Sequence, residues 1–305
     1  MRHLIDIESL KPGEAEALIG RAVALSRGAP PTPQAGEVAL LFWEPSTRTR
    51  VSFELAARRV GLYPVTVDPG RSSSIKGETI DDTVSTLAAM GIGALVVRHA
   101  DAGMPARIAE VLAEDGGVAV INAGDGAHAH PSQALLDAAT LVDEGIDWPS
   151  VTIALLGDLR HSRVARSAFA LYRRLGVRDL RMAGPPELLP AVDDPAFEGV
   201  VRFDEPDAAL CGADVVGCLR IQRERIEALD LPDVATFHSA WGLTASRAER
   251  LRPDVRVLHP GPVNRGVEID PGVADGPRSR ILRQVRMGVS LRMAVFEWAM
   301  GGVDE

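Results

Sequence analysis

The chain reads Phe42-Trp-Glu-Pro-Ser-Thr-Arg-Thr-Arg-Val-Ser-Phe-Glu54 where an apolar, strand-like pattern passes directly into a helical pattern. The predicted helix begins at four polar residues: Ser46, Thr47, Arg48 and Thr49. At such a turn, backbone N–H groups, hydroxyls, a guanidinium and the positive end of the helix dipole converge on one point. The segment therefore predicts an anion site. A second interpretation stays open, in which Ser46 caps the helix and the arginines are solvated surface charge.

The same alternation of short β-branched runs and longer helical patterns continues along the chain, as in parallel βαβ units. In the first half it predicts strands at 38–42, 65–67, 94–98 and 118–122, and helices at 49–60, 79–90, 105–113 and 131–143. In the second half it predicts strands at 151–157, 180–183, 200–203, 214–219 and 255–259, and a helix at 162–175. The expected fold class is α/β, with mostly parallel sheets flanked by helices.

A glycine and a proline in Glu-Gly-Ile-Asp-Trp-Pro, residues 144–149, interrupt this pattern and suggest a domain boundary. We therefore predict a first domain at 1–145 and a second at 146–305. The final helix, at about 278–300, is long enough to pack back on the first domain.

Composition excludes several function classes. The 305 residues carry 33 basic and 42 acidic side chains, and the net charge of −9 argues against a dedicated binder of nucleic acid or anionic membranes. We expect a cytoplasmic protein, because no signal-peptide pattern and no run of about eighteen apolar residues occurs.

Cys211 and Cys218 flank a predicted strand at a spacing unlike metal or redox pairs, so both are predicted to be small core residues.

Further polar segments follow predicted strands, at the carboxyl edge where open α/β sheets bind ligands. Arg98 ends one strand, and residues 122–133 follow the next. We predict no metal on His128 and His130, because no carboxylate or cysteine lies at ligand spacing. His130 and Gln133 instead suit hydrogen bonding to a polar carbonyl group.

A polar loop, Arg71-Ser-Ser-Ser-Ile-Lys76, precedes the next helix and contains one of only two lysines in the chain. Two interpretations stay open: a linker with a solvated lysine, or a loop that brings a cation to a site. In the second half, Arg163 and Arg220 follow two predicted strands. Each arginine taken alone is more consistent with a structural role, but together on one sheet edge they suggest a ligand whose carboxylates are gripped bidentately. The turn at residues 155–163 lacks the glycine spacing of the dinucleotide fingerprint, which disfavours a nicotinamide-dependent enzyme.

Taken in order, these motifs resemble the aspartate/ornithine carbamoyltransferase family over nearly the whole chain. They are Ser-Thr-Arg-Thr-Arg at 46–50, Ser-Ser-Ser-Ile-Lys-Gly-Glu-Thr at 72–79, Arg-His at 98–99, His-Pro-Ser-Gln at 130–133, Gly-Asp-Leu-Arg-His-Ser-Arg at 157–163, Arg-Ile-Gln at 220–222 and His-Pro-Gly-Pro-Val-Asn-Arg-Gly at 259–266. The ornithine branch typically carries His-Cys-Leu-Pro near the late strand. This chain has His-Pro-Gly-Pro there, so the resemblance favours the aspartate branch.

The resemblance implies transfer of the carbamoyl group of carbamoyl phosphate to the α-amine of L-aspartate, in pyrimidine biosynthesis, without a cofactor or a metal. It assigns carbamoyl phosphate to Ser46, Thr47, Arg48, Thr49, Arg98, His130, Gln133, backbone groups of Gly261 and Pro262, and Ser72 of a neighbouring subunit. It assigns aspartate to Arg163, Arg220, Gln222 and a neighbouring Lys76. The implied catalytic residues are Arg48, Thr49, Lys76, Arg98 and His130.

The resemblance also implies a homotrimer with shared active sites. Which of Ser72, Ser73 and Ser74 reaches the neighbouring site stays open, as does the presence of a regulatory chain or a dihydroorotase-like partner. An inactive structural paralogue is the non-enzymatic alternative. It is disfavoured because the phosphate turn and Lys76 are both intact.

Overall fold

The structure is a computed structural model, and it describes residues 1–67, 77–113, 117–221 and 233–301. The chain divides into two compact units, one formed by Met1–Asp143 with Val285–Glu305 and the other by Glu144–Gln284. Each unit contains a parallel sheet flanked by helices, which confirms the predicted fold class.

The first unit is built on a four-stranded parallel sheet of order β2-β1-β3-β4. Its strands are β1 (Glu37–Phe42), β2 (Tyr63–Val67), β3 (Ile92–His99) and β4 (Ala119–Asp125). Its helices before the boundary are α1 (Glu14–Ser26), α2 (Thr47–Val60), α3 (Ile80–Ala89), α4 (Met104–Val111) and α5 (Pro131–Asp143). The central strands are buried along most of their length, which is why they appear in the sequence as continuous apolar runs.

The second unit is built on a five-stranded parallel sheet of order β7-β6-β5-β8-β9. Its strands are β5 (Thr152–Leu156), β6 (Asp179–Ala183), β7 (Val201–Phe203), β8 (Val215–Cys218) and β9 (Arg256–Leu258). Its helices are α6 (Arg163–Arg174), α7 (Pro206–Leu210), α8 (Val234–Trp241), α9 (Ala245–Arg250) and α10 (Pro271–Ala274).

The C-terminal helix α11 (Ile281–Ala299) packs on the first unit, as predicted, where Phe296 lies edge-on to Phe53 with ring centroids 5.8 Å apart. It begins at Ile281 and not at 278. Ser279 forms an isolated parallel bridge with Val257 of β9, in which Val257 N donates to Arg278 O (2.9 Å) and Arg280 N donates to Val257 O (2.8 Å). The described part of the chain contains no helix that combines the length and the apolar character needed to cross a membrane.

The cysteine prediction is confirmed for one residue and wrong for the other. Cys218 lies in β8 and is fully buried, and this burial raises the pKa of its thiol. Cys211 is exposed, because α7 ends at Leu210 and the chain turns there before β8 begins.

Candidate functional site

In the first unit, the predicted carbamoyl-phosphate residues that the structure describes follow or end parallel strands at one edge of the sheet. The turn after β1 contains residues 46–49, Arg98 lies near the end of β3, and the segment after β4 contains His130 and Gln133. The predicted residues Ser72 and Lys76 lie outside the residues that the structure describes, as do Ser73 and Ser74.

The turn after β1 leads to the N-terminus of α2, where no acidic side chain in the first turn offsets the positive end of the helix dipole. Ser46 occupies the N-cap position with an extended backbone, but its side chain makes no capping hydrogen bond, and the first turn of α2 contains no acidic residue. Thr47 and Arg48 are exposed, whereas Thr49 is buried. The positive end of this helix dipole therefore faces outward beside a guanidinium and hydroxyls, an arrangement that favours an anion.

Arg98 connects this turn to the neighbouring strand. Its carbonyl oxygen accepts a hydrogen bond from Trp43 N (2.9 Å), and its Nη1 donates to Ala123 O on β4 (3.2 Å). Its Nη2 lies 3.5 Å from Glu44 Oε2, and both side chains are largely buried. Arg98 is thus a cation held in a fixed place between the β1–α2 turn and β4.

The segment between β4 and α5 is held by the carboxylate of Asp125, which is buried. It accepts hydrogen bonds from Asn122 Nδ2 (2.8 Å), Gly103 N (2.7 Å) and Ala129 N (3.1 Å) and lies 3.0 Å from His128 Nδ1. Burial acts to raise the pKa of Asp125, but the hydrogen bonds from His128, Asn122 and Gly103 outweigh it and leave that pKa lowered.

The position of Asp125 affects the reasoning behind the prediction that His128 and His130 bind no metal. The expected lack of a carboxylate at ligand spacing is wrong for His128, because Asp125 precedes it by three residues and contacts it. Even so, the described residues include no group of three or more histidine, cysteine or acidic side chains arranged to hold a metal ion.

His130 and Gln133 lie at the start of α5, and both are buried. Ser132 Oγ lies 3.5 Å from His130 Nδ1. Gln133 Nε2 donates to Asp137 Oδ1 at 2.8 Å, so the amide is anchored from one side by a carboxylate one helical turn further on. Asp137 is a residue that the sequence analysis missed, since an acidic residue within a helical pattern reads as ordinary surface charge.

In the second unit, Arg163 and Arg220 follow the neighbouring strands β5 and β8. Arg163 is the first residue of α6 and is buried, and Ser162 caps that helix by accepting from Ala165 N (3.1 Å). Gly157 permits the close approach of the two strand ends: its φ is +116°, and a Cβ there would lie 2.9 Å from Leu219 O. Gln222 lies outside the described residues.

Asp158 holds the turn that precedes Arg163. Its Oδ1 accepts from His161 N (3.1 Å) and lies 3.0 Å from His161 Nδ1. Burial raises the pKa of Asp158, against the opposing effect of these hydrogen bonds.

The segment after β9 contains Gly261 and Pro262, joined by a cis peptide bond. It is organised by a buried pair, in which His259 Nε2 donates to Glu268 Oε1 at 2.9 Å. The hydrogen is assigned to Nε2 because Nδ1 accepts from Gly261 N (2.8 Å). Glu268 Oε1 also accepts from Asn264 N (2.6 Å). Glu268 is a further residue that the sequence analysis missed.

Comparisons with known proteins show which family both halves of the chain match. Residues 2–143 match the family described as "Aspartate/ornithine carbamoyltransferase, carbamoyl-P binding domain", and residues 150–299 match "Aspartate/ornithine carbamoyltransferase, Asp/Orn binding domain". The chain is 47% identical over 309 residues to the aspartate carbamoyltransferase catalytic subunit of Stenotrophomonas maltophilia (strain R551-3), with 99% of this chain and 96% of that one covered.

Solved structures from both branches of the family share the fold. Aspartate transcarbamoylase from Trypanosoma cruzi, in complex with N-(phosphonacetyl)-L-aspartic acid, superimposes with a TM-score of 0.85 at 30% identity, covering 97% of this chain and 94% of that one. Ornithine carbamoyltransferase from Pyrococcus furiosus superimposes with a TM-score of 0.83 at 25% identity, covering 99% and 98%. From the sequence matches along nearly its whole length, the chain belongs to the aspartate/ornithine carbamoyltransferase family.

Proposed function

We propose that this protein transfers the carbamoyl group of carbamoyl phosphate to the α-amine of L-aspartate, giving N-carbamoyl-L-aspartate and phosphate. The observation that carries this proposal is the 47% identity, over 99% of the chain, to a protein named as the catalytic subunit of aspartate carbamoyltransferase. We assign carbamoyl-phosphate binding to a domain at 1–145 and aspartate binding to a domain at 146–305, with the final helix returning to the first. The family matches at 2–143 and 150–299 support this division.

The phosphate group is bound at the N-terminus of α2 by Ser46, Thr47, Arg48 and Thr49. The open helix end and the free capping position of Ser46 support this assignment, since neither is used by an acidic side chain of the same turn. Phosphate oxygens accept hydrogen bonds from all the donor types present there.

The carbamoyl group is bound by Arg98, His130 and Gln133, with backbone groups of Gly261 and Pro262. Arg98 and Thr49 polarise the carbonyl, so that negative charge developing on its oxygen faces a cation and a hydroxyl. The anchoring of Arg98 on Trp43 and Ala123 supports this role, because a preorganised donor needs no rearrangement during the reaction.

Aspartate is bound by Arg163, Arg220 and Gln222. Guanidinium groups suit this role because each can grip a carboxylate with two parallel hydrogen bonds. A cationic acceptor such as ornithine would meet repulsion from the same two arginines.

The active sites are shared within a homotrimer, in which Lys76 and one of Ser72, Ser73 and Ser74 act in the neighbouring subunit's site. The Lys76 ammonium neutralises charge on both phosphate and aspartate. We place this trimer in the cytoplasm and in pyrimidine biosynthesis. A regulatory chain, suggested by the phrase "catalytic subunit" in the name of the relative, would bind the trimer as a further partner.

In the reaction, the α-amine of aspartate attacks the carbamoyl carbon, a C–N bond forms, and a tetrahedral oxyanion results. The C–O bond to phosphate then breaks, and the departing phosphate takes the proton that the amine loses. Catalysis rests on positioning two anions and on stabilising the developing negative charge. Arg48, Thr49, Lys76, Arg98 and His130 are the proposed catalytic residues.

The test is to incubate the purified protein with carbamoyl phosphate and either L-aspartate or L-ornithine, and to quantify both carbamoylated products. We expect carbamoyl-aspartate, with carbamoyl-ornithine at background. Absence of carbamoyl-aspartate from folded, oligomeric protein would overturn the proposal. Production of carbamoyl-ornithine instead would assign the chain to the other branch.

A further inference from the structure

Asp137 fixes which way the Gln133 amide points. Gln133 Nε2 donates to Asp137 Oδ1 at 2.8 Å, and both side chains are buried, with relative exposures of 8% and 5%. An ionised carboxylate only accepts hydrogen bonds, so the amide presents its NH2 to Asp137 and keeps its carbonyl oxygen free to accept elsewhere. The opposite orientation would bring two acceptor oxygens together.

The first unit also buries a cation from the C-terminal helix, Arg292, whose charge interacts with that of Asp137. Arg292 on α11 is 3% exposed, its guanidinium lies over the Phe53 ring at 4.8 Å, and its Nη1 donates to Gly288 O (3.0 Å). Burial lowers the pKa of Arg292 to about 10, against the opposing effect of the Asp137 charge.

Gly288 on α11 leaves room for the Arg292 guanidinium and for Leu136 on α5. A Cβ at Gly288 would lie 2.6 Å from Arg292 Nη1 and 3.3 Å from Leu136 Cδ2. Any larger residue at 288 would therefore displace the guanidinium or the neighbouring leucine. The Asp137 and Arg292 side chains are both buried within the first unit.

We infer that Asp137, backed by Arg292, is a positioning residue that orients the Gln133 carbonyl oxygen toward the carbamoyl NH2 and so selects carbamoyl phosphate over acyl phosphates without that group. This inference rests on the proposed function. Acetyl phosphate has a methyl group where carbamoyl phosphate has NH2, and a methyl group cannot donate to the amide oxygen. A site built to accept a hydrogen bond from substrate discriminates against the analogue that lacks the donor, because its buried acceptor is left unpaired.

The experiment compares the binding of carbamoyl phosphate and acetyl phosphate, without an amino-acid acceptor, in the wild-type protein and in Asp137→Asn. The new amide can donate to Gln133 as well as accept, so the Gln133 amide is free to flip. We expect the preference for carbamoyl phosphate to fall about tenfold, the contribution of one good hydrogen bond, while acetyl phosphate affinity stays within about twofold. Asp143→Asn, at the end of the same helix where Asp143 pairs with Arg27 on the surface, should retain the wild-type preference.

Two further variants separate positioning from a structural effect. In a Gln133→Ala background, Asp137→Asn should cause no further loss of preference, because Asp137 acts through Gln133. If the single variant Asp137→Asn folds poorly, the double variant Asp137→Asn with Arg292→Gln serves instead, because it leaves no unpaired buried charge. The double variant should show the same loss of preference for carbamoyl phosphate.

An unchanged preference in Asp137→Asn or in the neutral double variant overturns the inference, as does an equal weakening of both ligands. Wild-type protein that does not distinguish the two ligands also overturns it. If the wild-type protein prefers carbamoyl phosphate but forms no carbamoyl-aspartate, the proposed function is wrong. The role of Asp137 is still decided by the ratio of the carbamoyl phosphate and acetyl phosphate affinities.

Discussion

The Nε2 atom of His259 donates a hydrogen bond to Glu268 Oε1 across 2.9 Å, and the two side chains are 0% and 2% exposed. The same carboxylate oxygen accepts from Asn264 N, and His259 Nδ1 accepts from Gly261 N. One buried acidic residue therefore organises the segment that contains Gly261 and Pro262. His259 Nε2 and Asn264 N both depend on that carboxylate as an acceptor.

We expect Glu268→Ala to lower the free energy of unfolding by about 3 kcal/mol, because the buried His259 Nε2 and the partly buried Asn264 N lose their acceptor and a cavity is left. Glu268→Gln retains one acceptor oxygen and should lose about 1 kcal/mol. The exposed Glu249→Ala control should change stability by less than about 0.5 kcal/mol. Urea denaturation checks all three, and equal stabilities for the two Glu268 variants would contradict the interpretation.

Ser46→Ala distinguishes an anion site from a helix cap. Since the Ser46 side chain makes no capping hydrogen bond, the variant should lose less than about 0.5 kcal/mol of stability. Carbamoyl phosphate affinity should fall about tenfold, because one hydrogen bond to the phosphate is lost. Thermal unfolding and ligand titration provide the two measurements.

Thr79→Ala is the matched control, because the Thr79 side chain does cap α3 by accepting from Asp82 N at 3.1 Å. It should lose about 1 kcal/mol of stability. A stability loss in Ser46→Ala as large as that in Thr79→Ala would support the cap interpretation of Ser46 instead.

Mixing subunits tests whether Lys76 acts in the neighbouring site. Lys76→Ala and Arg48→Ala proteins should each be nearly inactive. After dissociation and random reassembly in equal amounts, about a quarter of the sites in a shared-site trimer combine an intact Arg48 with an intact neighbouring Lys76. Recovery of about that fraction of wild-type activity is expected, and no recovery in confirmed hybrid trimers would show that Lys76 does not act across subunits.

Arg220→Ala should raise the KM for aspartate about a hundredfold, because two charge-assisted hydrogen bonds to a carboxylate are lost. Binding of carbamoyl phosphate, measured by titration without aspartate, should stay within about twofold. Arg202→Ala removes an exposed arginine from β7 of the same unit and should leave both values unchanged. A similar weakening of both substrates by Arg220→Ala would contradict the assignment to aspartate.

The contact between His128 and Asp125 predicts a pH-dependent contribution to stability. The hydrogen bond to Asp125 raises the pKa of His128 above its ordinary value of 6.5. The contact therefore contributes fully to folding stability below pH 6.5, and this stability is lost as the pH rises through the pKa of His128 in the folded protein. The hydrogen bonds to Asp125 lower its pKa from the ordinary value of 3.8, so this carboxylate is ionised at both pH values compared below.

His128→Gln should therefore destabilise the protein more at about pH 5.5 than at about pH 9. The difference should be roughly 0.5 kcal/mol, because the half-exposed imidazole is screened by solvent. Denaturant unfolding at the two pH values measures it. Equal destabilisation at both pH values would show that the contact does not depend on protonation of His128.

The strands could be predicted because buried parallel strands are apolar on both faces. All nine predicted strands are present, and Ala94, Leu95, Val96 and Val97 of β3 are completely buried. The end of β4 was harder to predict, since Asn122, Gly124 and Asp125 are typical turn formers. In the structure they continue the strand because Asp125 pairs with His99 on β3 and its carboxylate is satisfied by the following loop.

Helix α1 was missed although its signal is present. Ala15, Leu18, Ile19 and Ala22 are buried and follow the helical period. By contrast, the start of α11 could not be predicted, because pairing of residues 278–280 with Val257 depends on a contact between segments far apart in the chain.

By itself, the sequence determined the α/β class, the nine strands and the ordered motifs that place the chain in its family, because each depends on residues close together in the chain. Only the tertiary structure decided which acidic residues support those motifs. Asp125, Asp137 and Glu268 resemble surface charges in the sequence, yet each is buried and accepts hydrogen bonds that hold a proposed binding segment. The physical reason is that burial and hydrogen-bond partners depend on how distant segments pack, whereas the chemical type and spacing of the motif residues do not.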